Sequence, residues 1–204
     1  MKPPLPRLHA ITDERVARRS DVAAVAGALA GAGRAAVALH ARGARITGRE
    51  HFTLASQFGR LGAALFVNDR LDVALAVHAS GVQLGRGSLP PTEARRLNAA
   101  WWIGRSVHSM DEARSALVEG ADYLLAGPVY ATATHAAAAP LGVRWLAEIA
   151  GVGLPVIAIG GVTPARVRDL REAGAHGVAA IRALWDATDP ARAAQEMLMA
   201  MDDT

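Results

Sequence analysis

Polar side chains able to bind anions or move protons recur in this chain at one kind of place, the ends of short apolar runs. Thr12 and Asp13, His40 and Arg42, Asn68 and Asp69, Gln83, Ser106 and His108 all stand there. So do Thr132, Thr134 and His135, the pair Gly160 and Gly161, and Arg182. His40 and His135 have the near-neutral pKa that suits proton transfer. The Asp69 carboxylate could hold a metal or orient a cationic ring, or could cap the helix predicted to start at Arg70. Gly160-Gly161 follows the apolar run Val156–Ile159, where glycines let backbone N–H groups approach a phosphate and a helix starting after Thr163 adds a positive dipole end. Ala180, Ile181 and Arg182, after the last apolar run, are the candidates for the second half of such a phosphate site. Of the seven histidines, His51, His78 and His176 fall on or beside helical stretches and read as surface or packing residues, and His9 lies inside the first apolar run.

Several chemistries are excluded by composition. Cysteine is absent, which removes disulfides, thiolate zinc ligands and thiol nucleophiles. Lys2 is the single lysine, so the body of the chain has no Schiff-base amine and no lysine phosphate clamp. The net charge of +3 comes from scattered arginines, and only three Phe, two Tyr and four Trp could stack on bases, so no nucleic-acid partner is expected. A hydrophobic fraction of 51% excludes an intrinsically disordered chain. No run reaches the roughly 18 apolar residues of a membrane span, and the start Met1-Lys2-Pro3-Pro4-Leu5-Pro6 has no apolar signal core. A soluble, cytoplasmic protein with no membrane partner is the expectation.

The elements that must position these residues follow from the alternation of patterns. Strand-like runs are predicted at Leu8–Thr12, Ala36–Ala41, Ala64–Asn68, Gly81–Leu84, Trp101–Ser106, Tyr123–Pro128, Val156–Gly160 and Gly177–Ile181. Amphipathic helical runs are predicted at about 20–32, 48–61, 70–78, 91–98, 110–119, 142–150, 163–173 and 189–200. Thr163-Pro164 has the N-cap and first-turn proline of a helix start. Ala136–Ala139 reads as a small-residue loop. Strands alternating with helices imply a parallel sheet, and eight such units imply a compact (β/α)8 TIM barrel, a single domain over 1–204. The C-terminal strand ends would then gather the polar residues into one pocket. An open doubly wound sheet is the alternative; the chain lacks a Gly-x-Gly-x-x-Gly opening its first helix.

Leu8-His9-Ala10-Ile11-Thr12-Asp13, Val67-Asn68-Asp69-Arg70, Gly81-Val82-Gln83-Leu84-Gly85, Gly104-Arg105-Ser106-Val107-His108-Ser109, Gly127-Pro128-Val129-Tyr130 and Pro155-Val156-Ile157-Ala158-Ile159-Gly160-Gly161-Val162 carry a resemblance along nearly the whole chain. Together they resemble the thiamine phosphate synthase and TenI superfamily, phosphate-binding TIM barrels of thiamin biosynthesis. The synthase branch joins a pyrimidine diphosphate to a thiazole phosphate and releases diphosphate with Mg²⁺. Against its pattern, the strand-two Gln-x-Arg-x-Lys falls on Ala38, His40 and Arg42. The first Mg²⁺ carboxylate matches Asp69, whereas the second falls on Ser88. The diphosphate loop reads Thr132-Ala133-Thr134-His135, and the serine after strand eight is Arg182. These departures point to the TenI branch. They imply a metal-free thiazole phosphate tautomerase with no cofactor, in which His135 or His40 moves the proton. Arg42, Asn68, Asp69, Gln83, Ser106, Thr132 and Thr134 would then bind the substrate, and Gly160, Gly161, Ala180, Ile181 and Arg182 its phosphate. Pro128 departs from that branch, whose histidine follows the glycine ending strand six. The alternatives are a Mg²⁺-dependent synthase and a non-catalytic phosphate-ligand-binding or regulatory protein. The expected partner is a small phosphorylated thiazole, and the expected assembly a homodimer.

Overall fold

A computed structural model describes residues 2–132 and 139–202. Its eight strands are β1 (Leu8–Ile11), β2 (Val37–Ala41), β3 (Ala64–Asn68), β4 (Gly81–Leu84), β5 (Trp102–Val107), β6 (Tyr123–Ala126), β7 (Val156–Ile159) and β8 (Gly177–Ala180). Every neighbouring pair is parallel, and β8 returns to β1 with Leu8 opposite Val178, so the sheet closes into a barrel in sequence order. The single-domain (β/α)8 TIM barrel expected from the alternation is what forms; the expected strands shift only at their ends, by one or two residues.

The outer helices are α2 (Val22–Gly31), α3 (Gly48–Gly59), α4 (Leu71–Ala76), α5 (Pro91–Leu97), α6 (Met110–Val118), α7 (Gly142–Ala150), α8 (Pro164–Glu172) and α10 (Pro190–Asp202). Their starts follow local chemistry. Thr47 and Glu50 form a reciprocal capping box on α3, and Ser109 accepts from Glu112 N at the start of α6. Thr163 occupies the N-cap position of α8 with Pro164 in its first turn, as expected, although its side chain makes no capping bond. Two short helices went unforeseen, α1 (Glu14–Ala17) and α9 (Arg182–Trp185). Each is a single turn, too short for a 3.6-residue pattern to show. Asp13 caps α1 by accepting from Val16 N at 2.8 Å, so this carboxylate is engaged in local structure.

The core is layered by strand alternation. Leu8, Ala10, Val37, Leu39, Val82 and Leu124 point outward against the helices. Ile11, Ala38, Phe66, Tyr123, Leu125, Ile157 and Ala179 fill the barrel interior. Two large rings fit there because glycines face them. A Cβ on Gly104 would stand 2.2 Å from the Tyr123 ring and 2.3 Å from Gln83 Oε1, and one on Gly81 would stand 2.5 Å from the Phe66 ring. The N-terminal segment closes the opposite mouth. Leu5 packs into the interior cluster, Trp102 Nε1 donates to Pro3 O at 3.1 Å, and His176 Nε2 donates to Leu5 O at 3.1 Å.

Gly104→Ala should therefore overpack the barrel and lower the unfolding free energy by about 1–3 kcal/mol, measured by denaturant titration. The same change at Gly87, where an added Cβ meets nothing within 4 Å, should leave stability nearly unchanged.

Candidate active site

The strand ends open on a cavity of about 650 Å³, within the range usual for small-ligand sites. Its floor is apolar, with Ile11, Leu125, Ile159 and Ala179. Its walls carry Asn68, Asp69, Ser106, His108 and Thr132, and four arginines: Arg42, Arg86, Arg166 and Arg182. Asp69 is the one carboxylate among the described lining residues, so the cavity favours anionic ligands.

One wall is built by close backbone approach. Gly160 and Gly161 have φ of +101° and +63°, and a Cβ on them would stand 2.6 Å from Pro128 and 2.5 Å from Ala131 O. Only glycine combines that backbone with that spacing. The Gly127-Pro128 peptide is cis, and beyond it Val129 N and Tyr130 N donate to Ile159 O and Gly160 O, extending the contact with the β7 end. Arg166 stacks on the Tyr130 ring at 4.4 Å and donates to Gly161 O at 2.6 Å. Gly160, Gly161, Ala180, Ile181 and Arg182 thus lie side by side along one wall.

Across the cavity, Thr12 joins the β1 and β2 ends. Its Oγ1 accepts from Arg42 N at 2.8 Å and also lies 2.6 Å from Arg42 O. The Arg42 guanidinium has no hydrogen-bond or ion-pair partner among the described residues. Asp69 does not cap α4, one of the two roles its position allowed. It sits at φ +60°, Arg70 takes the N-cap position, and Asp69 Oδ1 accepts from Gly85 N at 2.8 Å and from the Ser88 hydroxyl. Its side chain therefore pins the β4 loop to the β3 end.

Two of the candidate residues lie beneath the floor. Gln83 is fully buried and outside the cavity lining; its Nε2 donates to Ser106 Oγ at 3.0 Å, so it reaches the cavity only through Ser106. His40 is also fully buried and does not line the cavity. Its Nε2 lies 2.8 Å from His9 Nδ1, its Nδ1 lies 3.1 Å from Asn68 Oδ1, and its ring stacks on Phe66. The structure thus places His40, expected as a proton-transfer candidate, behind Asn68 with both ring nitrogens engaged and out of contact with the cavity. His9 Nε2 donates to Pro6 O at 2.9 Å, so neutral His9 offers Nδ1 as acceptor to the His40 Nε2–H. Neutral His40 then keeps Nδ1 as an acceptor, satisfied when Asn68 turns its amide NH₂ toward the ring. Burial pushes His40 down to about 4, and burial together with the neighbouring His40 holds His9 well below the usual range. Thr134, His135 and most of the small-residue loop 136–139 lie outside the described residues.

Arg86 and Arg166 line the cavity without having been picked out from the sequence, and Thr163, expected there only as a helix N-cap, lines it as well. Arg86 lies two residues beyond β4, within reach of the strand-end rule. Arg166 belongs to the first turn of α8, and nothing in its spacing distinguishes it from a surface residue. His108 lines the rim, with Nδ1 3.2 Å from Glu112 Oε2, while Glu112 Oε1 accepts from Arg86 Nη2 at 2.6 Å.

The architecture and the cavity define a TIM barrel with an arginine-rich pocket at the C-terminal ends of its strands. A family model described as thiamine monophosphate synthase matches residues 8–184, and the chain belongs to that family, the thiamine phosphate synthase/TenI superfamily. A thiamine-phosphate synthase of Chloroflexus aurantiacus is 40% identical over 196 residues, covering 94% of this chain and 90% of the relative. One of Salinispora arenicola is 42% identical over 205 residues, covering 97% and 98%. The solved structure of thiamine phosphate pyrophosphorylase from Pyrococcus furiosus superposes with a TM-score of 0.83 at 35% identity, covering 97% of this chain and 96% of that one. A 3-hexulose-6-phosphate synthase at 19% identity, TM-score 0.74, shares the fold.

The buried histidines generate a pH dependence. Their folded-state pKa values lie below the unfolded value, so the unfolded chain binds more protons between 6.5 and about 4. The stability these two groups contribute is present above 6.5 and is lost as the pH drops through that window. The thermal midpoint should decline from pH 6.5 to 4.5, and His40→Gln should flatten the decline whatever its effect at neutral pH.

Proposed function

We propose that the protein is a thiamine phosphate synthase, joining a pyrimidine diphosphate to a thiazole phosphate with release of diphosphate. The observation that carries this reading is the cavity: one anion-binding wall at Gly160, Gly161 and Arg182, and separate arginines at the β2 and β4 ends, suit two phosphorylated substrates bound together. The names of the relatives at 40–42% identity support it. They favour it over the tautomerase suggested by the sequence departures, and the burial of His40 weakens that alternative further.

In this reading the thiazole phosphate lies against Gly160, Gly161, Ala180 and Ile181, with the Arg182 guanidinium beside it. Backbone N–H groups and an always-charged guanidinium hold a phosphate without a lysine. Asn68 and Ser106, held from below by His40 and Gln83, orient the ring over the apolar floor. The second phosphorylated substrate lies toward Arg42, Asp69 and Arg86. Thr132, Thr134 and His135 are assigned to that side by the family pattern alone.

The Mg²⁺ associated with this reaction finds a poor donor set here. Mg²⁺ needs octahedral oxygen ligands, usually more than one from the protein or substrate. Asp69 is the one carboxylate in the described lining, its Oδ1 already accepts two hydrogen bonds, and the family's second carboxylate position is Ser88. No group of three His, Asp or Glu suited to a metal occurs among the described residues.

Incubation with both substrates should yield thiamine phosphate. Arg182→Ala should raise KM for the thiazole phosphate about tenfold or more, since a charge-assisted hydrogen bond contributes about 1.5–3 kcal/mol. Conversion of a carboxythiazole phosphate to its aromatic isomer, with no thiamine phosphate formed from both substrates, would instead establish the tautomerase.

A further inference from the structure

We propose that the diphosphate group is held at the β2–β4 rim by guanidinium groups, Arg42 foremost, with no requirement for a divalent cation. The inference rests on the transferase reading and specifies how this chain recognises its second substrate.

The strand order places three charged residues in a row. Arg42 follows β2, Asp69 follows β3 and Arg86 follows β4, and these strands are consecutive neighbours in the barrel. A metal-bridged anion site would need carboxylates directed at the ligand. Asp69 Oδ1 is instead turned to Gly85 N and Ser88, and Glu112, the next carboxylate along the rim, is occupied by Arg86 and by the His108 N–H. Glu112 is thus engaged through both oxygens and Asp69 through one in holding loops, which leaves this rim a single carboxylate oxygen, Asp69 Oδ2, where a bridging metal would need several ligands.

The cations are not so committed. Arg42 lines the cavity with its guanidinium unpartnered among the described residues, while its backbone is fixed by Thr12. Arg86 is tied to Glu112 through Nη2, which holds it in place and leaves other N–H donors of its fork. A guanidinium pairs bidentately with phosphate oxygens and stays charged at any working pH. Two such groups flanking the Asp69 loop would offset two of the negative charges of a diphosphate. Asp69 then acts on the anion only by repulsion, which reverses the sign expected of a metal ligand.

Titration calorimetry of the intact protein with inorganic diphosphate, in EDTA and in excess Mg²⁺, tests this. Binding should occur in EDTA and should not strengthen with Mg²⁺. Arg42→Ala should weaken it about tenfold or more, the loss of one charge-assisted contact. Asp69→Asn, which keeps the acceptor for Gly85 N, should leave it equal or tighter. Binding that appears only with Mg²⁺ and disappears in Asp69→Asn overturns the inference and leaves the transferase reading standing. Absence of diphosphate binding in both buffers overturns the inference too; if thiamine phosphate is also not formed from both substrates, the transferase reading falls with it.

Discussion

The interior of the barrel is the constraint on which the site depends. Eight short parallel strands can close only if their inward side chains fill the space at close packing. Here Phe66 and Tyr123 supply the volume, and glycines at 81 and 104 make room for them. A polar column runs through this packing from Pro6 O through His9 and His40 to Asn68. Burial keeps both rings neutral, and a neutral histidine has one donor and one acceptor, so each bond in the column fixes the direction of the next. The first polar side chain above the floor is therefore oriented from the opposite end of the barrel.

The walls above that floor are set by backbone geometry as much as by side chains. Gly160 and Gly161 bring the β7 end against the β6 loop, and Arg166 secures the contact through Tyr130 and Gly161 O. On the other side Thr12 and Asp69 clip neighbouring loops together. Polar residues that look from sequence like ligands thus divide into two kinds: some face the cavity, and others hold the residues that do.

That division explains what was legible in advance. The eight strands could be read because each is a short apolar run ended by a polar or glycine residue, and the barrel followed from their number. The strand-end rule found Arg42, Asn68, Asp69, Ser106 and Arg182, all of which line the cavity. It could not separate His40 and Gln83 from them, because strand alternation places both inward and only depth along the barrel puts them below the floor. It passed over Arg166, whose place depends on the stacking of a helix residue on Tyr130. The short helices α1 and α9 escaped because one turn carries no period, and Asp69 looked like a cap because its left-handed backbone leaves no trace in the sequence.

The N-terminal closure has a consequence for biosynthesis. Residues 3–7 emerge from the ribosome well before their partners Trp102, His176 and Val178, whose N–H donates to Arg7 O. The first strand must also wait for the eighth before the ring can close. Until β8 is out, β1 has an open edge and Leu5 has no closed interior to enter. Pairings this distant in sequence form slowly, and an unpaired strand edge invites association in the meantime. The nascent barrel thus carries an exposure to misassembly at its first strand, and the last strand made is the one that relieves it.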